Sequence, residues 1–550
     1  MSNALNRKMR RRLCNNGKRW MLAMTAGMLF LGSQAIAQDY GHDGDGHDFA
    51  RLGTVEFQVG CAAAVQDDFN RAMALYHSFA MPDAKAAFEA IVEADPACGM
   101  GHWGRAMVLL DNPFLWPGSL PPERLDAVSA ALEDARAAGL HSAREESYVA
   151  AVEAFVRDHE TLDHRTRVQA FEEAMGSIAE ANADDMEAAI LYALVTSANF
   201  DPADRTYANQ WRAAEILEPL FASHPDHPGV AHYLIHTYDY PPLAEHGLEA
   251  ARRYAGIAPD AVHALHMPSH IFTRVGKWEE SIDSNRASVE ADGRRTVYSH
   301  HAYDYMVYAH LQLGQDNAAQ EALKEAHEVT VVDHFAAAYT YAAMPARLAL
   351  ERGDWQAAAG LELEPSADAY PWEKYPQAEA INAFARGVGA ALSGDAEAAS
   401  QQLTRLETLR DATGQAYWVE QVHIQADIVG ALALCADGDA PSCIEALSKA
   451  AEREDATEKH VITPGPILPA RELLAYVLLD NGRYAEALDE YEAVLTKEPN
   501  RYRAIAGAME AAEIAGNREQ ARTHAAHLLD QTAEADAERP SLQLAQQISG

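Results

Sequence analysis

The chain has 550 residues, long enough for several domains or for one extended repeat array, and it has ample apolar residues to form a core. Its 33 Gly and 24 Pro are scattered singly through a sequence rich in Ala, Leu and Glu, and this mixture favours many short helices over sheets. The formal net charge of −38 repels phosphate groups, which argues against nucleic acid and anionic membranes as partners.

The first 37 residues predict a cleaved export signal. Seven Lys and Arg residues precede an apolar run from Trp20 to Leu31, and Ala35-Ile36-Ala37 follows. This is the order of the basic, apolar and small-residue regions of a signal peptide. We therefore expect cleavage after Ala37 and a mature protein in the periplasm or outside the cell. It would carry 37 basic and 82 acidic residues, a formal charge of −45. No segment is long and apolar enough to predict a membrane span.

Four cysteines remain after removal of the signal, an even number in an oxidising compartment. Proximity in sequence pairs Cys61 with Cys98 and Cys435 with Cys443. Neither pair has the Cys-x-x-Cys spacing of a zinc or redox motif. We expect two structural disulfides.

The mature chain is predicted to be all-α, because amphipathic stretches of 12 to 16 residues alternate with short breaks at Gly, Asp and Pro from about residue 60 onward. A Gly-, Asp- and His-rich stretch without apolar periodicity precedes them and is expected to be flexible. The predicted organisation is a signal peptide (1–37), a flexible leader (38–59), degenerate N-terminal helical repeats (60–210), central His-rich repeats (211–330), C-terminal repeats (331–535) and a tail (536–550).

The clearest repeat is 468–501, LPARELLAYVLLDNGRYAEALDEYEAVLTKEPNR. Gly482 lies in its tight turn, Ala487 is the small residue where two helices cross, and Tyr491, Val494 and Pro499 follow. This unit closely resembles the tetratricopeptide (TPR) consensus. Equivalent turn glycines are Gly276, Gly314, Gly353, Gly394 and Gly516, and a degenerate first unit contains Ala84, Phe88 and Pro96.

The resemblance covers most of residues 60–535, strongly at 468–534 and weakly at 100–210. It implies an α-solenoid of stacked antiparallel helix pairs, in which each unit buries its apolar face against its neighbours. In such solenoids, by resemblance, positions 2, 5 and 9 of the first helix of each repeat face the concave groove where ligands bind.

Eleven of the 24 histidines lie between His224 and His310, and the repeat register directs several of them to the groove. Residues four apart on a helix share a face, so His232 with His236 and His266 with His270 form two potential metal-binding pairs. Pro268 lies between the second pair and is expected to kink the helix or shift its start. The predicted metal-site residues are His232, His236, His263, His266, His270, His301 and Asp304, with Asp304 suited to orienting a ligand histidine.

Imidazole-rich sites suit copper, zinc, iron and nickel. We expect copper, because the repeated His-x-x-x-His pairs resemble in spacing those of dinuclear copper proteins; zinc and iron are the alternatives. More candidate ligands are present than one tetrahedral ion needs, so the sequence predicts either two ions or additional orienting residues.

Three functions stay open at this point. The first is a metal-dependent enzyme with oxidative or hydrolytic activity, for which Tyr303, Tyr305 and Tyr308 beside the cluster suggest an oxidoreductase. The second is a metal-binding protein without turnover. The third is a scaffold without metal that binds a protein or peptide partner in the groove, with the histidines lining it or placed there incidentally. The fold alone does not choose among them.

Overall fold

Every regular element in the described part of the chain is helical, which confirms the all-α prediction. The computed structural model describes residues 50–116, 118–201 and 203–550. The predicted signal and the first part of the predicted leader lie outside these residues. Four short 3₁₀ turns accompany the α-helices.

The α-helices run in chain order as follows: α1 (Gln66–His77), α2 (Met81–Ala94), α3 (Gly99–Leu109), α4 (Pro122–Ala138), α5 (Ala143–Val156), α6 (His164–Ala181), α7 (Met186–Ala198), α8 (Ala208–Ser223), α9 (Pro228–Tyr238), α10 (Leu248–Ile257), α11 (Val262–His266), α12 (Pro268–Arg274), α13 (Trp278–Asp292), α14 (Val297–Gln312), α15 (Asp316–Ala326), α16 (Phe335–Glu351), α17 (Trp355–Ala359), α18 (Pro376–Leu392), α19 (Ala396–Ala412), α20 (Ala416–Ala436), α21 (Ala440–Asp455), α22 (Ala470–Asp480), α23 (Tyr484–Lys497), α24 (Tyr502–Ile514), α25 (Arg518–Gln531) and α26 (Pro540–Ser549).

Successive helices pack against one another along the chain, as in a TPR-type solenoid. All six predicted turn glycines have φ between 68° and 84°, a left-handed conformation that costs glycine little and other residues more. At Gly507 a Cβ atom would come within 2.2 Å of the Tyr491 ring, and at Gly104 a Cβ would come within 2.2 Å of the Phe88 ring. In the strongest repeat and in the degenerate first one, an aromatic ring therefore packs directly against a glycine of the following helix.

Two terminal segments differ from expectation. Residues 50–59 belong to the predicted flexible leader, yet Leu52, Val55 and Phe57 are buried, and the Phe57 ring packs at 5.5 Å from Phe69 of α1. Burial of these three side chains gives this non-helical stretch a fixed place that periodicity did not reveal. The predicted tail contains α26, which packs on α24 and α25.

The C-terminal repeats return to the central ones instead of extending away from them. The Trp278 indole donates to the Asn500 carbonyl at 3.0 Å, and the Gln531 amide donates to the Gln312 carbonyl at 2.7 Å. Arg539 forms a buried ion pair with Asp316. These contacts join residues about 220 positions apart, so the array closes on itself around α14.

Residues 456–469, between α21 and α22, form a covering segment over the central repeats. Arg347 of α16, fully buried, donates to the carbonyl oxygens of Gly465 and Pro466, each at 2.9 Å. Tyr305 of α14 donates to the Thr463 carbonyl at 3.1 Å. A guanidinium can satisfy several carbonyls at once, so Arg347 holds a stretch of chain that has no helical hydrogen bonds of its own.

Both predicted disulfides are present. Cys61 and Cys98 have Cα atoms 4.7 Å apart, and Cys435 and Cys443 have Cα atoms 5.3 Å apart. The first joins the N-terminal stretch to the start of α3, and the second joins the end of α20 to α21. None of the described helices is both long enough and apolar enough to cross a membrane.

Arg501 is predicted to be essential for the closure between central and C-terminal repeats. Its buried guanidinium contacts Glu472 at 2.6 Å, Glu351 at 2.7 Å and the Tyr308 hydroxyl at 2.9 Å. Arg501→Leu would leave the buried Glu351 without its ion pair and Glu472 with Arg503 alone, so we expect a loss of about 3–5 kcal/mol, measured as a lower midpoint of urea unfolding. Arg483→Leu, at an exposed pair with Glu486, is the control and should cost less than about 1 kcal/mol. Equal effects of the two substitutions would contradict the prediction.

The stability of the protein should depend on Glu454, which accepts a hydrogen bond from the Ala470 amide at the start of α22. Burial raises the pKa of Glu454 to about 7, against the opposing effect of Lys497 and with Glu498 and Asp455 adding to the rise. The folded protein therefore holds a proton there that the unfolded chain loses above pH 4.5, and stability falls as pH rises from about 5 to 7.

Glu454→Gln is expected to remove this pH dependence and to exceed the original protein in stability by about 1–2 kcal/mol at pH 8. Urea unfolding at pH 5, 6, 7 and 8 measures it. Glu445→Gln is the control, because burial is absent there and the Lys449 partner lowers the pKa of Glu445 below this range. Parallel pH profiles for the Glu454 variant and the original protein would refute the assignment.

Candidate metal centre

Four helices bring the six predicted histidines together. His232 and His236 lie on α9, His263 and His266 on α11, His270 on α12 and His301 on α14. The break between α11 and α12 falls at Met267, directly before Pro268, as expected from a proline that cannot continue the helix. The break does not separate the pair, since His266 and His270 still face each other across it.

The six histidines form two adjacent groups of three. The first triad is His232, His236 and His263, and the second triad is His266, His270 and His301. Within each triad, one nitrogen from each ring lies within 4.8 Å of the others. The two triads are adjacent. The ring centroids of His263 and His266 are 6.2 Å apart, and those of His236 and His270 are also 6.2 Å apart. The α11 helix contributes one histidine to each triad.

Hydrogen bonds at the outer nitrogens orient three of the rings. His232 Nδ1 donates to the His77 carbonyl at 2.6 Å. His266 Nδ1 donates to Asn285 Oδ1 at 2.6 Å, since the Asn285 amide nitrogen is itself bonded to a carbonyl. His270 Nδ1 donates to the Asp239 carboxylate at 2.9 Å. A proton on Nδ1 of a neutral imidazole leaves Nε2 with a free lone pair.

The inner nitrogens converge without protons between them. His266 Nε2 and His270 Nε2 are 3.0 Å apart, and with both Nδ1 atoms donating elsewhere, two lone pairs face each other. Within the described residues, the Nε2 atoms of His232 and His236 and both ring nitrogens of His263 are buried without a hydrogen-bond partner. Buried polar atoms normally find partners, so this arrangement is unfavourable unless something occupies the space between them.

The six rings are neutral at physiological pH. Burial lowers the pKa of His266 to about 3, with neighbouring His270 adding to the effect. Burial and neighbouring imidazoles also push the pKa of four others well below the ordinary value, namely His232, His236, His263 and His301. For His270, burial lowers the pKa and Asp239 partly opposes it. Neutral imidazoles are the form that binds metals.

Asp239 is the carboxylate at the centre, and the sequence prediction missed it. Burial favours its neutral form, but Lys459 and Arg274 outweigh burial and hold the pKa of Asp239 well below its usual value. Lys459 Nζ lies 3.0 Å from Asp239 Oδ2, and Arg274 Nε lies 2.8 Å from Asp239 Oδ1. Asp239 therefore links His270 to the covering segment through Lys459. It lies one residue beyond α9, where the repeat pattern gave no reason to look.

The prediction for Asp304 was wrong. Its side chain is buried on α14 but points to Arg347, with Arg347 Nε donating to Oδ1 at 2.9 Å, and it contacts neither triad. Asp304 lies three residues after His301, about 60° round α14 from it, on the side that faces Arg347. Of the three tyrosines, only Tyr305 lies at the site, with its ring 5.2 Å from those of His266 and His270. Tyr303 donates to Glu325, and Tyr308 accepts from Arg501.

Aromatic side chains from the N-terminal repeats enclose the first triad. Phe79 packs at 4.5 Å from His232 and 5.7 Å from His263, and its backbone has φ of 52°, a left-handed conformation that is costly for a residue with a Cβ. Phe114 stacks on His236 at 4.0 Å. The histidines thus lie between packed helices, not on the open groove that the repeat register implied. Four of them are buried, and His263 and His301 are half-buried beside a cavity that they line.

A second histidine cluster behaves differently. His77 and His227 both bond to Glu187, each at 2.9 Å, while His77 Nδ1 bonds to the Tyr233 hydroxyl at 2.8 Å and His227 Nδ1 accepts from the Val230 amide. Both histidines keep the pKa of the buried Glu187 low against the effect of burial. All four ring nitrogens have partners, so this cluster is a satisfied hydrogen-bond network. Its His77 carbonyl orients His232.

Comparison with known proteins gives structural matches of low sequence identity. No family model matches the chain. No curated protein matches it either. Solved structures with low similarity include Naa15/Naa10 bound to HypK-THB (13% identity, 88% of this chain and 78% of that chain, TM-score 0.25). Human IFIT1 dimer with PPP-AAAA gives 11% identity over 84% of this chain and 89% of that chain, with a TM-score of 0.37. The P58(IPK) TPR domain gives 13% identity over 83% of this chain and 99% of that chain, with a TM-score of 0.20. The TPR-type fold described above therefore stands on the paired helices and turn glycines of this chain itself.

Proposed function

We propose that this protein binds two copper ions, one in each histidine triad, and that the pair acts on a small molecule admitted from the adjoining cavity. The observation that carries the proposal is the pair of unprotonated nitrogens, His266 Nε2 and His270 Nε2, at 3.0 Å. Two nitrogens bound at 2.0–2.1 Å to one tetrahedral ion lie about 3.3 Å apart. A cation between them converts a repulsive contact into two bonds.

The chemistry of the ligand set favours a metal over other occupants. An anionic or peptide carboxylate ligand would need charged groups facing it, whereas burial keeps all six imidazoles neutral. In the cluster around Glu187, by contrast, hydrogen bonds within the protein satisfy the nitrogens of both histidines. The two triads lack such partners at their inner nitrogens.

Copper fits better than zinc or iron. Neither triad contains a carboxylate, which non-haem iron sites usually include. The surroundings already carry the positive Lys459 and Arg274, which are paired with Asp239 and influenced by Glu458. Two Cu(I) ions would add two positive charges to this buried site and two Zn(II) ions would add four, and buried charge is costly. Neutral imidazoles therefore match a pair of univalent ions.

Three protein ligands leave room for a small molecule to approach the ion, as in catalytic zinc sites, and the adjoining cavity lies on that side. This supports an oxidoreductase over a storage protein. The two disulfides support export to an oxidising compartment, in agreement with the predicted signal. A metal-free scaffold remains the alternative function, and helical repeats commonly bind protein partners.

The first test is metal stoichiometry. The mature chain reconstituted with Cu(I) under anaerobic conditions should retain two ions per chain after desalting, as measured by elemental mass spectrometry. His236→Ala removes one ligand of the first triad and His270→Ala removes one of the second, so each should lower retention to about one ion, and the double variant should retain none. His224→Ala with His246→Ala, at exposed positions outside both triads, is the matched control and should retain two.

Circular dichroism verifies that each variant keeps its helices. Trace copper in the original protein and in every variant would overturn the metal proposal and leave the scaffold function. One ion per chain, lost equally in both single variants, would instead show a single shared site.

The second test separates Asp239 from Asp304, two buried carboxylates of the central repeats. Asp239→Asn weakens the hydrogen bond that orients His270 and should lower copper affinity 10- to 100-fold, measured by competition with a chromophoric Cu(I) chelator. Asp304→Asn disturbs only the contact with Arg347, so it should lower the melting temperature without changing copper affinity. A larger loss of affinity in the Asp304 variant would contradict the assignment of Asp239.

A further inference from the structure

A cavity with about 120 Å³ of internal space adjoins both triads. Its walls come from four parts of the chain: the loops after α1 and α3, the central histidine helices, the start of α16, and the covering segment with the start of α20. An apolar cavity of about 150 Å³ is known to hold benzene. The cavity therefore has room for a ligand of about one ring.

The inner wall of the cavity belongs to the proposed metal centre. His236 and His263 of the first triad and His270 and His301 of the second line it. A molecule in the cavity would thus contact both triads at once. The space is not a separate pocket elsewhere on the surface.

The remaining walls are mostly apolar and aromatic. Phe79 lies beside the first triad, and Phe335 and Trp418 pack edge to face at 5.1 Å on the α16 side. Leu115, Val297 and Ile462 add aliphatic surface. Such walls favour a flat aromatic ring, which gains from burial and from offset or edge contacts with other rings.

Charged groups are nearly absent from the cavity. Among the described residues that line it, none is Lys or Arg, and the one carboxylate, Asp111, forms an ion pair with Arg124 at 2.9 Å. His460 also lines it, and burial lowers the pKa of His460 to about 4, so this ring is neutral. A charged ligand would lose its hydration here without gaining a partner.

One buried hydroxyl in the cavity wall, that of Ser119, is free to bind a ligand. Ser119 is only 5% exposed, and its hydroxyl has no hydrogen-bond partner among the described residues. A buried hydroxyl can both donate and accept, so it would pair with a ligand hydroxyl. The cavity therefore combines an aromatic interior with a single-hydroxyl anchor.

We propose that this cavity binds an uncharged aromatic molecule carrying a hydroxyl group, a phenol, against the imidazoles of the two triads. The inference deepens the proposed function and rests on it for the role of the ligand as substrate. The shape and polarity of the cavity do not depend on the metal. The two proposals can therefore be tested separately.

The test measures binding of phenol, cyclohexanol and benzoate to the mature chain, with and without Cu(I), by isothermal titration calorimetry under anaerobic conditions. Phenol should bind both forms of the protein. Cyclohexanol lacks the aromatic ring and benzoate carries a charge, so each should bind at least tenfold more weakly.

Two variants place the ligand in this cavity. Ala336→Phe fills part of the space and should weaken phenol binding at least tenfold, whereas Ala526→Phe, the same change on the exposed face of α25, should leave it unchanged. Ser119→Ala removes the anchor and should weaken phenol about fivefold, the effect of one hydrogen bond, without changing the affinity for toluene.

Equal affinities for the three probes, or phenol binding that Ala336→Phe and Ser119→Ala both leave intact, would overturn the inference. Selective phenol binding by a protein that retains no copper would refute the metal proposal alone. Two bound copper ions with no phenol binding would refute the cavity proposal alone.

Discussion

The burial of six neutral imidazoles side by side is the constraint on which the rest of this structure depends. An imidazole buried this deeply loses its charge, and each of its nitrogens then needs a defined partner. For His232, His266 and His270, the outer nitrogen finds a carbonyl, an amide or a carboxylate, which leaves the inner nitrogen unprotonated. The unpaired inner nitrogens are the reason that we propose a cation at this centre.

The helical repeats set the spacing of the histidines, and the closure of the array packs other segments around them. Arg347 and Arg501 are fully buried guanidinium groups, and each joins helices of the central repeats to segments more than 100 residues later in the chain. Such groups stabilise only where every donor is matched, so they also fix which segments meet. Arg347 holds the covering segment over the second triad, and Lys459 of that segment contacts Asp239. The same contacts that complete the fold thus cover the second triad on the side of residues 456–469.

This arrangement changes the expected use of the fold. An open concave groove suits an extended peptide, whereas a closed interior with one lined cavity suits a small molecule. Aromatic side chains from the N-terminal repeats, Phe79 and Phe114, pack directly on the histidines of the first triad. The helices of the repeat array form the walls of this cavity. Its remaining outer faces are still those of a helical-repeat protein.

The sequence by itself determined the fold class, the turn glycines, both disulfides and the six histidines, because helical periodicity and repeat register are local properties that survive without long-range contacts. It also placed the break at Pro268. The tertiary structure alone decided that the six histidines divide into two triads, that Asp239 orients His270 and Asp304 does not, and that residues 50–59 are packed. These outcomes depend on contacts between residues far apart in the chain and on differences in side-chain direction of less than one helical turn. A repeat pattern contains no information about either.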